Sequence, residues 1–249
     1  MLSVGRHVRG TPSRRPRWQE MSPLVTAGRQ LLLRVGSMLA VFTGATAVAA
    51  RVDPPTLAAH QVALTMFLFL ALSLDALAVP AQTLVAEELG REGGEQLGRE
   101  GGERHGREAA RGVHVGAALV SRRVVVLSVI VGAVLAAALA AGAAVLAGAF
   151  TDDPAVLERA TTALLLLAVT LLPGAVAFAY DGVLIGAGDY RFLGRAALAY
   201  LLVVTPVAVL VLAVPALGIA GIWAGLAGWM AVRAAVNHLR ATRLLGLPA

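Results

Sequence analysis

The chain of 249 residues has no cysteine. A disulfide framework, a thiolate nucleophile and a cysteine-based metal site are therefore excluded. It also has no lysine, because all 21 basic residues are arginine. Together with the abundance of Ala, Gly and Val, this fits a GC-rich genome. Charge is scarce altogether, at 14% of residues, where a soluble domain carries roughly 25%. Several chemical signatures are missing too. No GxxxxGK[ST] run offers a phosphate-binding loop. No HExxH and no cluster of His with carboxylates offers a metal site. No Ser, His and acid set suggests a nucleophilic triad. The run DGVLIGAGDYRFLG, with Asp181 and Asp189, lacks the Ala-Arg dipeptide and further acids of membrane phosphatidyltransferases. An enzyme is not expected, and no cofactor is called for. Residues 1–23 carry five arginines and no apolar core of about 7–15 residues, so they are not a signal peptide.

What the sequence does have is long apolar runs. It is 58% hydrophobic with a mean hydropathy of +0.77. A hydrocarbon core about 30 Å thick needs roughly 20 apolar residues at the helical rise. Six runs meet that length, at about 24–50, 60–88, 122–150, 155–185, 192–214 and 222–239. The expectation is an all-α integral membrane protein, a six-helix bundle.

The 60–88 run organises the rest. Between Val62 and Ala86 its strongly polar side chains are Asp75 and Gln82. An acid at the bilayer centre costs about 2.5–3.5 kcal/mol if it faces lipid, so it should face a cavity, a partner or another helix. Pro80 removes a backbone donor nearby and is expected to loosen or kink the helix. An acid beside a helix break at membrane depth is a place where transporters handle ions; the plainer alternative is a bond to a neighbouring helix. Asp181 is a second acid, nearer the end of its run, and could simply pair with Arg191 or Arg195. His60 and Gln61 stand at the mouth of the second run, where a lone His is more often a satisfied interface residue than a ligand.

The remaining segments are polar or helix-breaking. Residues 1–23 form a basic arm in which Pro12, Pro16 and Pro23 argue against a regular helix, and which suits anionic headgroups. Arg51-Val-Asp-Pro-Pro reads as a turn. Residues 89–112 repeat an eight-residue unit, LGREGGEQ, LGREGGER and HGREAARG. The unit is too polar and Gly-rich to bury anything, so a solvent loop or frayed helix with Glu–Arg pairs is expected. Gly132 and Gly142 would let helices approach closely, and Gly221 with Gly225 makes a GxxxG pair. Thr151-Asp-Asp-Pro-Ala is a helix start. Residues 186–191 make a tight turn, and 215–221 a short loop. Arg29 and Arg34 are read as snorkelling to the interface, and Arg233, His238, Arg240 and Arg243 as clustering at the end of the last helix.

An even number of spans puts both termini on one side, and the positive-inside rule makes that side cytoplasmic. The cytoplasmic segments and adjoining helix ends then hold 19 of the 21 arginines, leaving Arg51 and Arg159 outside. Topology accounts for the sequence pI of about 11.1, and no nucleic-acid partner is needed.

Two runs carry a family resemblance. ATAVAARVDPPTLAAHQVALTMFLFLALSLDALAVPAQTLVAEELG resembles the seventh and eighth helices of MATE (multidrug and toxic compound extrusion) transporters, in particular the DinF subfamily. FTDDPAVLERA followed by FAYDGVLIGAGDYRFLGRA resembles the junction of the ninth and tenth helices and the end of the tenth. The likeness spans about 24–241, and the repeat at 89–112 departs from it. The resemblance implies about twelve helices in two six-helix lobes, of which this chain looks like the second. It implies a multi-pass protein of a bacterial inner or plasma membrane that exports cationic or lipophilic small molecules in exchange for H+ or Na+. Its partners would be that substrate, the ion, the lipid bilayer, and a first-lobe half or a second copy of the chain. The acid best known for proton coupling in the DinF branch belongs to the first lobe and is carried onto no residue here. Asp75, Gln82, Tyr180 and Asp181 are the second-lobe candidates for ion or substrate binding, with Gln61 a weaker one. In such a transporter the cavity lies between the lobes. Protonation from outside would discharge a buried carboxylate, change a helix contact and release a cationic substrate. The alternatives are a truncated or non-transporting membrane partner, and a lipid or polysaccharide flippase of the same superfamily. The flippase would need basic residues inside the cavity, whereas the arginines read as lying at helix ends.

Overall fold

The structure is a computed structural model and describes residues 18–99 and 114–246. Six α-helices follow one another: α1 (Trp18–Val52), α2 (Pro54–Arg99), α3 (Val115–Phe150), α4 (Pro154–Gly186), α5 (Tyr190–Ala213) and α6 (Gly218–Leu245). A 3-10 turn, Pro215–Leu217, precedes α6. No strand occurs among the described residues. The stretches long and apolar enough to cross a bilayer are Leu24–Val52, Pro54–Arg91, Val115–Phe150, Pro154–Gly186, Tyr190–Ala213 and Pro215–Leu245. The expected all-α six-helix bundle is therefore the architecture observed.

The helices outrun their apolar cores. Helix α1 begins at Trp18, past Pro16, so the proline-rich arm becomes helical earlier than expected; residues 1–17 lie outside the described residues. Between α1 and α2 only Asp53 is non-helical. Pro54 and Pro55 open α2 rather than delaying it to His60, because the first turn needs no backbone donors. The Asp53 carboxylate accepts the Thr56 N–H at 2.7 Å and caps the new helix. Pro80 does not break α2, which runs on to Arg99. The first part of the repeat is thus helical, with a Glu88–Arg91 pair at 2.7 Å; residues 100–113 lie outside the described residues. The Thr151-Asp-Asp-Pro start is as expected, since Asp153 caps α4 by accepting the Ala155 N–H at 2.9 Å. The turn after α4 is also as expected, with Gly188 at φ +73°. Residues 218–221, expected as loop, already belong to α6.

Helix α4 is the hub, packing most extensively on α2 and then on α3 and α6, while α1 lies chiefly on α5. Two glycines make the α2–α4 seam possible. A Cβ on Gly182 would stand 2.5 Å from the Ala78 carbonyl oxygen, and one on Gly186 would stand 2.5 Å from that of Gln82. Both pairs have the same spacing, so the two helices run parallel in fixed register. On α3, Gly132 does permit a close approach, because its Cβ would meet that of Ala175 at 2.6 Å. Gly142 does not, since a Cβ there would meet only its own helix, at Leu146. Large apolar side chains such as Leu32, Leu39, Leu68, Phe69, Leu72, Val145 and Leu202 stay exposed, as expected of a surface solvated by lipid or by another apolar body.

Candidate functional site

The parallel seam sets two carboxylates at similar depth. Ala78 faces Gly182 and Gln82 faces Gly186, so Asp75 lies opposite residue 179. It is offset from Asp181 by two residues, or about 3 Å along the axis.

Asp181 is wholly enclosed. Its Oδ2 accepts from Arg34 Nη2 of α1 at 2.5 Å and from Arg233 Nη2 of α6. Its Oδ1 accepts from Asn237 Nδ2, one turn beyond Arg233, at 2.8 Å. Tyr200 Oη of α5 donates to Asn237 Oδ1 at 3.0 Å. Arg233 is 3% exposed and is stacked between rings, its guanidinium 5.3 Å from the Phe178 centroid and 5.8 Å from that of Trp229. One carboxylate thus ties α1, α4, α5 and α6 together, with donors on both oxygens. Charge-assisted pairs of this kind are strong, and a fully satisfied buried network fixes a unique packing. The cavity among Arg34, Ser37, Asp181, Tyr200, Arg233 and Asn237 has a volume of about 10 Å³. It has no space for a substrate.

Asp75 is the opposite case. It is half-buried and makes no hydrogen bond or ion pair with any described residue. The charged groups acting on it are Arg34 first, then Asp181 and Arg233.

The expectations for single residues divide accordingly. Asp181 pairs with Arg34 and Arg233, not with Arg191 or Arg195, which are exposed. Arg34 does not snorkel; it turns inward. Arg233 is not at a helix end, because α6 continues twelve residues past it to Leu245. Two arginines assigned to the interface therefore lie inside the bundle. Tyr180 bonds His238 Nδ1 at 2.7 Å through its hydroxyl, on an exposed side. Gln82 meets Gly186 through its backbone, and its side chain bonds no described residue. Gln61 is exposed, one turn before Thr65, which donates to its carbonyl. Asp75 and Asp181 are thus brought together, and Tyr180, Gln82 and Gln61 stand apart from their network. His60, expected at an interface, is fully buried. Its Nε2 lies 3.1 Å from Thr46 Oγ1, while its Nδ1 has no partner. Among the described residues no group of three or more His, Asp or Glu could hold a metal ion.

Arg34, Arg233, Asn237 and Tyr200 were missed as site residues. The available signal was the rule applied to Asp75: Arg34 follows Leu-Leu-Leu, and Arg233 sits in MAVRAAV, so both are ionisable groups inside apolar runs.

Outside the turns, this is a multi-pass membrane bundle held by an internal Arg–Asp–Arg network. Comparison with known proteins gives its family context. Residues 104–210 match the profile of the MatE family. The chain is similar to three Arabidopsis thaliana proteins. It is 30% identical to Protein DETOXIFICATION 45, chloroplastic, over 215 residues, which is 86% of this chain and 34% of that protein. It is 32% identical to Protein DETOXIFICATION 42 over 213 residues, 86% of this chain and 37% of that protein. It is 33% identical to Protein DETOXIFICATION 44, chloroplastic, over 225 residues, 86% and 38% respectively. The family match covers less than half of the chain, and the chain spans about a third of the length of the curated relatives it matches.

Proposed function

We propose that the chain is the second six-helix lobe of a MATE-type efflux transporter of the DinF branch, with both termini cytoplasmic. It would export cationic or lipophilic compounds by proton- or sodium-coupled antiport, its lobes alternating access to a cavity between them. The observation that carries this reading is Asp75, an acid at membrane depth with no direct partner among the described residues, beside a network that is already complete. An intramembrane carboxylate left in that state is suited to take up and release an ion. Asp181 is suited to anchoring, because its oxygens are occupied by donors from two other helices. The exposed apolar surface of the bundle supports a covering lobe, either a first-lobe half or a second copy. Coupling then requires that substrate and ion each bind the two lobe arrangements with different affinity.

The flippase alternative has one observation in its favour: Arg34 and Arg233 do lie inside the bundle. Both are already neutralised by Asp181, so they favour it only if that pairing opens.

The test is uptake of a lipophilic fluorescent cation into inverted vesicles under an imposed proton gradient. The chain alone, its Asp75→Asn variant, and the chain co-expressed with a first-lobe half are compared. Gradient-driven uptake abolished by Asp75→Asn is the expected result. Uptake by the chain alone identifies a homo-oligomer, and uptake only with the added lobe identifies a split transporter. No uptake in any combination from properly inserted protein overturns the reading in favour of a non-transporting membrane partner.

A further inference from the structure

We infer that Arg34 is a shared counter-ion: it leaves Asp181 for Asp75 when Asp75 carries charge and returns when Asp75 is neutral, so that α1 is handed between α4 and α2. This rests on the reading of Asp75 as the ion-coupled acid.

Four observations carry the inference. First, the parallel α2–α4 register puts the two carboxylates about 3 Å apart in depth. Second, Asp181 holds more donors than it needs. Arg34 and Arg233 share the single oxygen Oδ2, while Asn237 occupies Oδ1. If Arg34 leaves, Arg233 and Asn237 still satisfy both oxygens. Third, the two arginines are held differently. Arg233 is 3% exposed, between the Phe178 and Trp229 rings and also within reach of Met38 Sδ at 3.5 Å. Arg34 is 16% exposed and has no partner besides Asp181 among the described residues. Arg34 is therefore the one free to move. Fourth, α1 stands outside the α2–α4 seam. It packs chiefly on α5, more lightly on α2 and lightly on α6, so moving its ion pair does not require opening the α2–α4 seam.

The charged and titratable groups around Asp75 leave no competitor for this role. They are Arg34 on α1, Asp181 on α4 and Arg233 on α6. Helix α3 contributes Arg122 and Arg123, both on its exposed side. Two acids and two arginines make the set neutral when both acids are charged. Discharging Asp75 leaves one positive charge in excess, and Asp181 then holds both arginines. The bound ion at Asp75 thereby decides whether α1 is tethered to α4 or to α2. That is the two-state element a coupled transporter requires.

The experiment is a double-mutant cycle on thermal unfolding of the full chain reconstituted in lipid, with Asp75→Asn, Arg34→Gln and the double variant. It is run at mildly alkaline and at acidic pH. The expected result is that the double variant's loss of Tm at alkaline pH is smaller than the sum of the single losses, and that the three become additive at acidic pH. Additivity at both pH values overturns the inference. Asp181→Glu provides a second arm. If Arg34 is shared, weakening its bond to Asp181 makes Tm newly sensitive to Asp75→Asn, and Arg34→Gln removes that sensitivity. Unchanged insensitivity to Asp75→Asn counts against the inference. The cycle is separable from transport. Additive melting with uptake still abolished by Asp75→Asn defeats the shared counter-ion and leaves the transport reading standing. Coupled melting with no uptake in any combination does the reverse.

Discussion

The last turns of α4 and the middle of α2 present two acids at nearly the same depth in opposite circumstances. Around Asp181, four helices converge and every oxygen has a donor. Around Asp75 no described residue donates anything. The comparison teaches that an intramembrane acid is not a functional residue by virtue of its charge. Asp181 is the more deeply buried and the more richly bonded, and for that reason it suits structure. An ion-coupled group must change partners, and a carboxylate already fully engaged must first give something up. The partnerless acid suits the variable role and the satisfied one suits the fixed role.

This contrast can be broken at several points. The largest effect is expected from Asp181→Ala, which leaves Arg34 and Arg233 uncompensated inside the bundle. A loss of about 3–5 kcal/mol is expected, read as a marked fall in Tm in lipid. Replacing Asp181, Arg34 and Arg233 together by Leu, Met and Met should recover most of it, because a buried ion network exchanged for apolar packing is often neutral. A triple variant as unstable as the single one would mean that the network contributes more than charge compensation. Next is the seam that sets the register. Gly182→Leu drives side-chain atoms into the Ala78 carbonyl, and about 1–3 kcal/mol of overpacking is expected. Uptake should fall with it, since the depth of Asp75 relative to Asp181 is then lost. Smaller again is Asp153→Ala, which removes the α4 cap for about 1 kcal/mol and should leave any coupling intact.

Asp75→Asn marks the low end, with a change in stability within about 0.5 kcal/mol despite complete loss of gradient-driven uptake. A large destabilisation would place Asp75 with Asp181 as a structural acid. The smallest effect concerns Asp53, in the turn between α1 and α2. Partial desolvation pushes its carboxyl upward, but the Thr56 N–H and the Arg159 guanidinium at 3.2 Å outweigh it and hold it below the ordinary carboxylate range. A depressed folded value means its contribution is present above the unfolded value and fades as pH falls through the folded one. Tm measured against acidic pH should therefore slope slightly less in Asp53→Asn than in the parent chain.

Much of the fold was legible because a bilayer imposes a length and a composition that six runs satisfy. The caps at Asp153 and the turn at Gly188 were legible for local reasons, a side-chain acceptor before Pro154 and a residue free to adopt positive φ. Helix ends were not, because polar residues such as those of 89–99 can continue a helix once its apolar part is anchored. Pro80 does not end α2, because the helix is held by packing on α4 that offsets the lost backbone donor. The partners of Asp181 were the deepest omission. Arg34 and Arg233 lie 147 and 52 residues from it in sequence, and no local pattern connects them. Arginines near a helix end and arginines inside a bundle look alike until the helices are packed.

The most direct test of the central claim is infrared spectroscopy of the carboxyl groups in the reconstituted chain across a pH titration. The protonated-carboxyl band that appears and disappears with pH should vanish in Asp75→Asn and persist in Asn237→Ala, which removes a donor from Asp181 and the acceptor of Tyr200. A titrating band that survives Asp75→Asn and is altered by Asn237→Ala would show that Asp181 carries the proton, and would reverse the roles assigned to the two acids.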